Sequence, residues 1–487
     1  MTALPRMGAG HRPELTASLG LLFLYLALMN GHFISVDGVV MWRQALSLVQ
    51  HQTFRFEPTI WWGSYIYTSS RGVAASLQYM PGVLVFGWLR PYEPTSLTAT
   101  YDYGLFYGDR LYRVAGAPAW ALITATTALF VGLTVRALSR DHRAVLWAIA
   151  FYGLGSPALL GARGDFPQPL VAMCWAVGLF ASVRLRDGGS NRWQWLCAAA
   201  IAYGVLTRPL EGSMLLPAVL LLLLPGWRSS PWRLVGPVAV WAAAVGLTLL
   251  INWARFGAPL DFGYGSLSWN IPIWVGFPYA LLSPGRGALW QFPAMLLSVF
   301  GAIQLWRTGR RLDVIVLAGL PAVLFIESCV FFAWIEGWDW GFRLFQPALP
   351  FMAMLAGIGA VKLKGRLAGW LPGVLLAGGL VWNVPAVITD LLGGYAATYD
   401  NLASWSNLDA YPPIGAWQFL HHLRALSLDD SAAVDIIWFR AARTTHWLTL
   451  APFTLLLAVS AALWYRAVKV ARMAVRDEAI TGPSRLT

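Results

Sequence analysis

A carboxylate directly follows the first apolar stretch of the chain, in Ser35-Val36-Asp37-Gly38. At a membrane boundary a carboxylate is partly dehydrated, and it can accept a hydroxyl proton in a transition state, a contribution of about 10² to 10⁴ in rate. Aspartate is also a preferred N-cap residue, so Asp37 is suited to begin the helix predicted after it. The two roles are compatible, and Asp37 is a candidate general base.

A second carboxylate lies between two apolar stretches, in Arg163-Gly164-Asp165-Phe166-Pro167. Asp165 can position Asp37, bind a sugar hydroxyl, or hold a divalent metal ion together with Asp37. A lone aspartate in such a link is more often a helix cap. The sequence leaves these roles open.

Arginines and aromatic rings accompany both carboxylates. Arginine is always protonated and binds phosphate oxygens in a bidentate fashion, and aromatic ring faces suit a sugar. The alternatives are lipid headgroup contacts, surface ion pairs and an aromatic belt at the membrane interface. The predicted substrate-binding residues are Arg71, Tyr79, Arg163, Tyr264, Arg286, Glu336, Trp338, Asp339 and Arg343.

The elements that position these residues are apolar helices. The chain has 487 residues, of which 57% are hydrophobic and 12% charged, whereas a soluble domain carries about 25% charged residues. A water-soluble fold is therefore excluded. We predict an all-α polytopic membrane protein, with a single transmembrane domain over residues 1–487 and about twelve spans. These lie at 15–34, 111–135, 144–162, 167–183, 194–207, 210–225, 234–253, 287–306, 313–333, 344–361, 367–389 and 446–465.

The distribution of charge predicts the orientation of the chain. The short links that begin at residues 136, 184, 227, 307 and 362 are all basic, as is a predicted cytoplasmic tail over 466–487. The positive-inside rule assigns these segments to the cytoplasm. The net charge of +12 is then topological, and nucleic acid is not an expected partner. A first non-cytoplasmic loop over 35–110, carrying interfacial helices, and a last one over 390–445 follow from this orientation.

Five motifs stand at or next to the predicted outer face: Ser35-Val36-Asp37-Gly38, Tyr79-Met80-Pro81-Gly82, Asp109-Arg110-Leu111-Tyr112-Arg113, Arg163-Gly164-Asp165 and Leu206-Thr207-Arg208-Pro209. They resemble motifs of the GT-C fold membrane glycosyltransferases, a group that includes the protein O-mannosyltransferases, the aminoarabinose transferases and an uncharacterised bacterial branch. The proline-bearing segment of the family usually carries a lysine or a second proline, where this chain has Tyr79 and Met80, so phosphate binding passes to Arg71, Arg286 or Arg343.

The resemblance implies a function at the outer face of a bacterial inner membrane. A polyprenyl-phosphate-linked sugar would be the donor, and a glycan, lipid or protein of the envelope the acceptor. Asp37 would act as general base with inversion at the sugar carbon, and a divalent cation is an option that varies within the family.

A twelve-helix secondary transporter or lipid flippase is the competing interpretation. Transporters are typically built from repeats around a midplane site. Here the candidate residues gather at one predicted face, and the first outer loop is longer than transport requires. This asymmetry favours the transferase.

Overall fold

The computed structural model describes residues 12–56, 59–61, 64–66, 68–89, 109–228, 230–263, 268–283, 287–331, 342–388, 434–444, 448 and 450–481. Within these ranges nearly all regular structure is helical, which confirms the predicted all-α class. The exception lies in the first predicted outer loop, where β1 (Thr59–Trp61) and β2 (Ser64–Ile66) pair antiparallel, with Thr59 opposite Ile66.

Of the helices before residue 210, those at Val36–Gln50, Val73–Leu77 and Met80–Phe86 lie in the predicted first outer loop, and the others follow the predicted apolar spans. The helix α5 begins with a π-helical turn at Tyr112–Gly116. The helices are α1 (Pro13–Leu28), α2 (Val36–Gln50), α3 (Val73–Leu77), α4 (Met80–Phe86), α5 (Tyr112–Ser139), α6 (His142–Gly153), α7 (Ala158–Gly161), α8 (Gln168–Arg186) and α9 (Arg192–Thr207).

The remaining helices continue in the same manner. Three short 3₁₀ segments, Leu224–Gly226, Pro293–Leu297 and Arg343–Ala348, extend or precede α-helices. The helices are α10 (Pro209–Leu223), α11 (Trp232–Phe256), α12 (Ile273–Leu282), α13 (Ala288–Gln291), α14 (Ser298–Arg307), α15 (Arg311–Val330), α16 (Leu349–Ala360), α17 (Leu367–Ile388), α18 (Ile437–Thr444) and α19 (Leu450–Thr481).

Seven helices of the described chain are long and apolar enough to cross a membrane. They are α5, α8, α10 with its 3₁₀ extension, α11, α15, α17 and the 450–474 part of α19. Helices also form at the other five predicted spans, but they are shorter or interrupted. The multi-pass class is therefore supported, and the count of twelve stays a prediction.

The buried core lies where α5, α6, α8, α9 and α16 pack together. Trp175 of α8 and Phe351 of α16 are fully buried there, with ring centroids 5.7 Å apart. Gly204 and Gly212 let α9 and α10 approach closely, because a Cβ on Gly212 would meet the backbone of Gly204. Small residues at helix contacts are typical of membrane bundles.

The first predicted outer loop folds against this core through α2, α3 and α4. The helices predicted for this loop are present, with α2 separate from the two short helices α3 and α4. A second cluster of buried residues joins them to α5, centred on the rings of Trp42, Tyr79, Tyr112 and Trp120. The start of α2 is thereby fixed relative to α5.

Candidate active site

Ser35, and not Asp37, is the N-cap of α2. The Ser35 hydroxyl oxygen accepts a hydrogen bond of 3.0 Å from the backbone N–H of Gly38. Asp37 lies in the first turn of α2, where the positive end of the helix dipole favours a carboxylate. Ser35 therefore has the capping role that was considered for Asp37, and the carboxylate of Asp37 is available for other contacts.

Two predicted arginines face the carboxylate of Asp37. Arg71 donates a short hydrogen bond to Oδ1, and Nη1 of Arg343 lies 3.9 Å from Oδ2. The Asp37 side chain is 14% exposed. Three predicted site residues from distant parts of the chain thus meet at one point that remains partly open.

The arginines determine the charge state of Asp37. Burial raises the pKa of this carboxyl, but the charges of Arg71 and Arg343, the hydrogen bond from Arg71 and the charge of Arg208 outweigh it and hold the pKa below its usual value. Asp37 is therefore ionised at neutral pH, in the state that a general base requires.

Arg71 belongs to a segment that is fixed by hydrogen bonds on two sides. The Gln44 side-chain oxygen accepts hydrogen bonds from the Thr68 hydroxyl (3.0 Å) and the Ser69 N–H (3.3 Å). Arg255 donates to the Thr68 hydroxyl oxygen (3.2 Å) and to the carbonyl of Arg71 (3.1 Å). Arg255 therefore lies behind Arg71 and supports the segment that carries it.

The end of α9 brings a further cation to the site. Gly72 packs so closely on the carbonyls of Leu206 and Thr207 that a Cβ there would clash with both. Arg208 follows and pairs with Glu211 at 2.5 Å. Arg208 also contributes to the lowered pKa of Asp37.

Arg343 is held by an aromatic ring. It begins the 3₁₀ segment before α16, and its guanidinium carbon lies 4.3 Å from the ring centroid of Phe166. Such a cation–π contact orients a guanidinium without neutralising its charge. Because Phe166 follows Asp165, the link between α7 and α8 supports both the cation and the turn before α2.

Asp165 lies fully buried behind that turn. Its oxygens accept hydrogen bonds from the N–H groups of Ile34 (3.0 Å) and Ser35 (3.4 Å) and from the Ser35 hydroxyl (2.6 Å). Burial raises the pKa of Asp165 to about 7, although these hydrogen bonds oppose the shift. Asp165 is thus placed to hold the turn that carries Asp37.

Arg163 is turned away from Asp37. It is buried, and it donates to the carbonyl oxygens of Ala386, Val387 and Asp435 and, at 2.8 Å, to the Asp435 carboxylate. Sequence reasoning did not single out Asp435. The signal for it was a lone aspartate between apolar neighbours in Ala433-Val434-Asp435-Ile436.

The remaining predicted residues are Tyr79 and five residues outside the described part of the chain. Tyr79 is fully buried, and its hydroxyl oxygen accepts a 3.1 Å hydrogen bond from the Trp120 indole. Its role in substrate binding stays a prediction. Outside the described residues lie Tyr264, Arg286, Glu336, Trp338 and Asp339, together with most of the predicted last outer loop.

The described residues do not fit a divalent cation at this site. Among them, no group of three or more His, Cys, Asp or Glu side chains is arranged to hold a metal ion. The oxygens of Asp37 face the guanidinium groups of Arg71 and Arg343, and those of Asp165 face N–H and O–H donors. A cation between the two carboxylates would have to displace these partners.

No protein-family model matches the chain, and no curated protein matches it either. Several solved structures are similar to the chain. ArnT from Cupriavidus metallidurans in the apo state is 16% identical with a TM-score of 0.49, over 94% of this chain and 75% of that chain. The same protein bound to undecaprenyl phosphate gives 16% and 0.48 over the same shares.

A second kind of protein is also similar. The Archaeoglobus fulgidus oligosaccharyltransferase in complex with zinc and sulfate is 13% identical with a TM-score of 0.47, over 82% of this chain and 58% of that chain. ArnT and this oligosaccharyltransferase are GT-C fold membrane glycosyltransferases, the group whose motifs the sequence resembles. Similarity at this level does not assign a substrate or a reaction to the chain.

Proposed function

We propose that the chain is a membrane glycosyltransferase that moves a sugar from a polyprenyl-phosphate donor to an envelope acceptor, with Asp37 as general base. The observation that carries the proposal is the contact of an ionised, partly exposed carboxylate with Arg71 and Arg343. A base and cations for a phosphate leaving group are the two parts that such a transfer needs. The apolar helices around them suit a lipid-linked donor.

The proposed reaction is one displacement at the anomeric carbon. The acceptor hydroxyl oxygen attacks the sugar from the face opposite the phosphate, and its proton passes to Asp37. The bond between the anomeric carbon and the phosphate oxygen breaks with its electron pair, so that polyprenyl phosphate leaves and the configuration inverts. Arg71 and Arg343 would stabilise the charge that develops on the leaving phosphate.

Binding of the donor would also change the pKa of Asp37. In the protein without substrate, Arg71 and Arg343 lower the pKa of Asp37, which makes it a weak base. A donor phosphate would compete for the same guanidinium groups and neutralise part of their charge. The pKa of Asp37 would then rise, and the base would strengthen once the donor is bound.

The other predicted residues have either a supporting or a substrate-binding role in the proposed reaction. Asp165 would position Asp37 through the turn at 34–35 and would not touch the sugar. We assign Arg163 to the same supporting role. Substrate contacts remain proposed for Tyr79 and for the residues outside the described part of the chain, namely Tyr264, Arg286, Glu336, Trp338 and Asp339.

The proposed donor class is a phosphate lipid. One similar structure has undecaprenyl phosphate bound, and another is an archaeal oligosaccharyltransferase in complex with an inhibitory peptide and a dolichol-phosphate. We propose that the reaction takes place at the non-cytoplasmic face, because the predicted cytoplasmic links are basic. The resemblance of the sequence to bacterial family members suggests a bacterial inner membrane. The acceptor would be a glycan, lipid or protein of the envelope.

The deciding experiment incubates the purified protein with a panel of undecaprenyl phosphate-linked sugars, each radiolabelled in the sugar, and a crude envelope fraction. We expect transfer of label to the envelope fraction with release of undecaprenyl phosphate from at least one donor. The same donors in proteoliposomes test the competing interpretation. Movement of an intact donor across the bilayer with no covalent product would instead indicate a flippase.

A further inference from the structure

A buried ionic cluster lies behind the candidate active site. Asp435 is its centre, and its carboxylate is 1% exposed. His32 Nε2 and Arg440 Nη2 each lie 2.7 Å from Oδ1, and Arg163 Nη2 lies 2.8 Å from Oδ2. Three cationic or potentially cationic side chains from separate segments therefore meet on one carboxylate.

The partners of Asp435 determine its charge. Burial raises the pKa of this carboxyl, but His32 and Arg163, followed by Arg440, hold it well below its usual range. His32 faces two oxygens, because Nδ1 also lies 2.7 Å from the carbonyl oxygen of Phe33.

Buried ion pairs rarely add net stability over an apolar packing, so such a cluster calls for another explanation. The described residues offer one, since two chains of contacts run from Asp435 to the turn before Asp37. The first passes through His32, which is bonded to the carbonyl of Phe33. The second passes through Arg163, two residues before Asp165, whose carboxylate holds Ile34 and Ser35.

The segment around Asp435 is itself fixed to the helix that precedes the turn. The N–H of Ile437 donates to the carbonyl of Met29 at 3.0 Å, and the Trp438 indole donates to the carbonyl of Leu26 at 3.2 Å. These are carbonyls at the end of α1 that the helix leaves without internal partners. Asp435 also donates its N–H to the carbonyl of Ile388 at the end of α17. The cluster thus ties α1 and α17 to the turn.

We infer that Asp435 is a positioning residue of the proposed transferase, which fixes the turn at 33–35 through His32 and Arg163 so that Asp37 stays between Arg71 and Arg343. The inference rests on the proposed function, because the position of Asp37 matters for the reaction only if Asp37 is the general base. Asp435 does not touch Asp37, and 398 positions separate them in the sequence. It adds a residue near the carboxyl-terminal end to a site otherwise built from earlier segments.

The first test measures kinetics in Asp435→Asn against a matched control. Asp313→Asn is that control, because Asp313 is also buried and pairs with an arginine, Arg186, at 2.8 Å, away from the turn. For Asp435→Asn we expect kcat to fall about 10- to 100-fold while the donor KM changes less than about threefold, since misplacement by about 1 Å has this effect on a reacting group. Asp313→Asn should leave kcat within about twofold of the wild type.

A pH profile separates positioning from general stability. An Asp37 that is no longer held against its arginines loses their stabilisation of the ionised form, so the acidic limb of kcat/KM should move to higher pH in Asp435→Asn. A role in stability alone lowers the amount of active protein and leaves the limb in place. An unmoved limb in a folded Asp435→Asn protein would therefore overturn the inference.

Two further measurements keep the test decisive. If Asp435→Asn does not fold, His32→Gln takes its place, because it removes the first of the two chains of contacts and leaves Asp435 paired with Arg163 and Arg440. Independently of activity, amide hydrogen exchange at Ile34 and Ser35 should accelerate at least about tenfold in either variant and stay unchanged in Asp313→Asn. Unchanged exchange would contradict the inference even if the proposed reaction proves wrong. If the wild-type protein transfers no sugar, the proposed function is contradicted and the hydrogen-exchange test of the inference still stands.

Discussion

The backbone of Gly38 lies directly against the carboxylate of Asp165. A Cβ at position 38 would lie less than 3.0 Å from Oδ2, Cγ and Cβ of Asp165. The same carboxylate accepts hydrogen bonds from Ile34 and Ser35. The residues before and after Asp37 therefore both contact the buried side chain of Asp165. Position 38 has space only for glycine.

Gly38→Ala should consequently displace either the start of α2 or Asp165. We expect kcat to fall about 10- to 100-fold and the protein to lose about 1–3 kcal/mol of stability, as overpacked sites do. Gly319→Ala in α15 is the matched control, because a Cβ there meets no atom within 4 Å. Transfer assays and thermal unfolding in detergent measure both quantities. Equal activity of the two variants would contradict the close fit at Gly38.

Asp37→Asn should remove the proposed base while keeping the shape of the site. We expect the transfer rate to fall by about 10² to 10⁴, with binding of undecaprenyl phosphate unchanged or tighter, because Arg71 and Arg343 lose a competing anion. Asp141→Asn is the control, since Asp141 caps α6 through the N–H groups of Arg143 and Ala144. Because asparagine is as good an N-cap as aspartate, this variant should leave both stability and transfer nearly unchanged. Turnover like that of the wild type in Asp37→Asn would remove Asp37 from the mechanism.

The acidic limb of the pH profile should report on Arg343. Asp37 acts as a base only when ionised, so activity is present above its pKa and lost as the pH falls through it. Arg343 helps to lower that pKa. Arg343→Gln should therefore raise the pKa of Asp37, and the acidic limb of kcat/KM should move to higher pH. The donor KM should rise as well, since the proposed phosphate contact is lost. A limb that stays in place would indicate that Asp37 is not the titrating group.

The sequence was sufficient to predict the helical class and part of the site. Apolar runs and basic links predicted the helices, and the residue types of Asp37, Arg71 and Arg343 predicted a cluster that the fold brings together. The local periodicity contained no sign of β1 and β2, which are only three residues each.

Other features depend on contacts between residues that are distant in the sequence. Arg163 and Asp165 are neighbours in one motif, yet their side chains serve different segments, because the link between α7 and α8 turns one toward Asp435 and the other toward Ser35. Arg255 carries a charge that is visible in the sequence. Its burial behind Arg71 is not visible there, since burial depends on how α11 packs.

Arg255 should affect donor binding through Arg71. It donates one hydrogen bond to the Arg71 carbonyl and one to the Thr68 hydroxyl, and a lysine cannot reproduce this two-point geometry. We expect Arg255→Lys and Arg255→Gln to raise the donor KM by similar factors, about 5- to 20-fold for loss of about 1–2 kcal/mol of hydrogen bonding. The exposed Arg307 provides the control, Arg307→Gln. Full rescue by Arg255→Lys would instead indicate that the charge of Arg255 acts on the donor directly.

Asp165 should make the stability of the protein depend on pH near neutrality. Burial raises its pKa to about 7 in the folded protein, against about 3.9 in an unfolded chain. Between these two values the folded state holds a proton that the unfolded state has released, so stability falls as the pH rises from about 4 to about 7 and levels off above that, where both states have released it. We expect the apparent Tm of the wild type in detergent to fall between about pH 5 and pH 7 and to level off by about pH 8. Asp165→Asn should lack this component, whereas Asp435→Asn should retain it, because a low pKa keeps Asp435 ionised across the whole range. A Tm slope that survives in Asp165→Asn would assign the titration to another group.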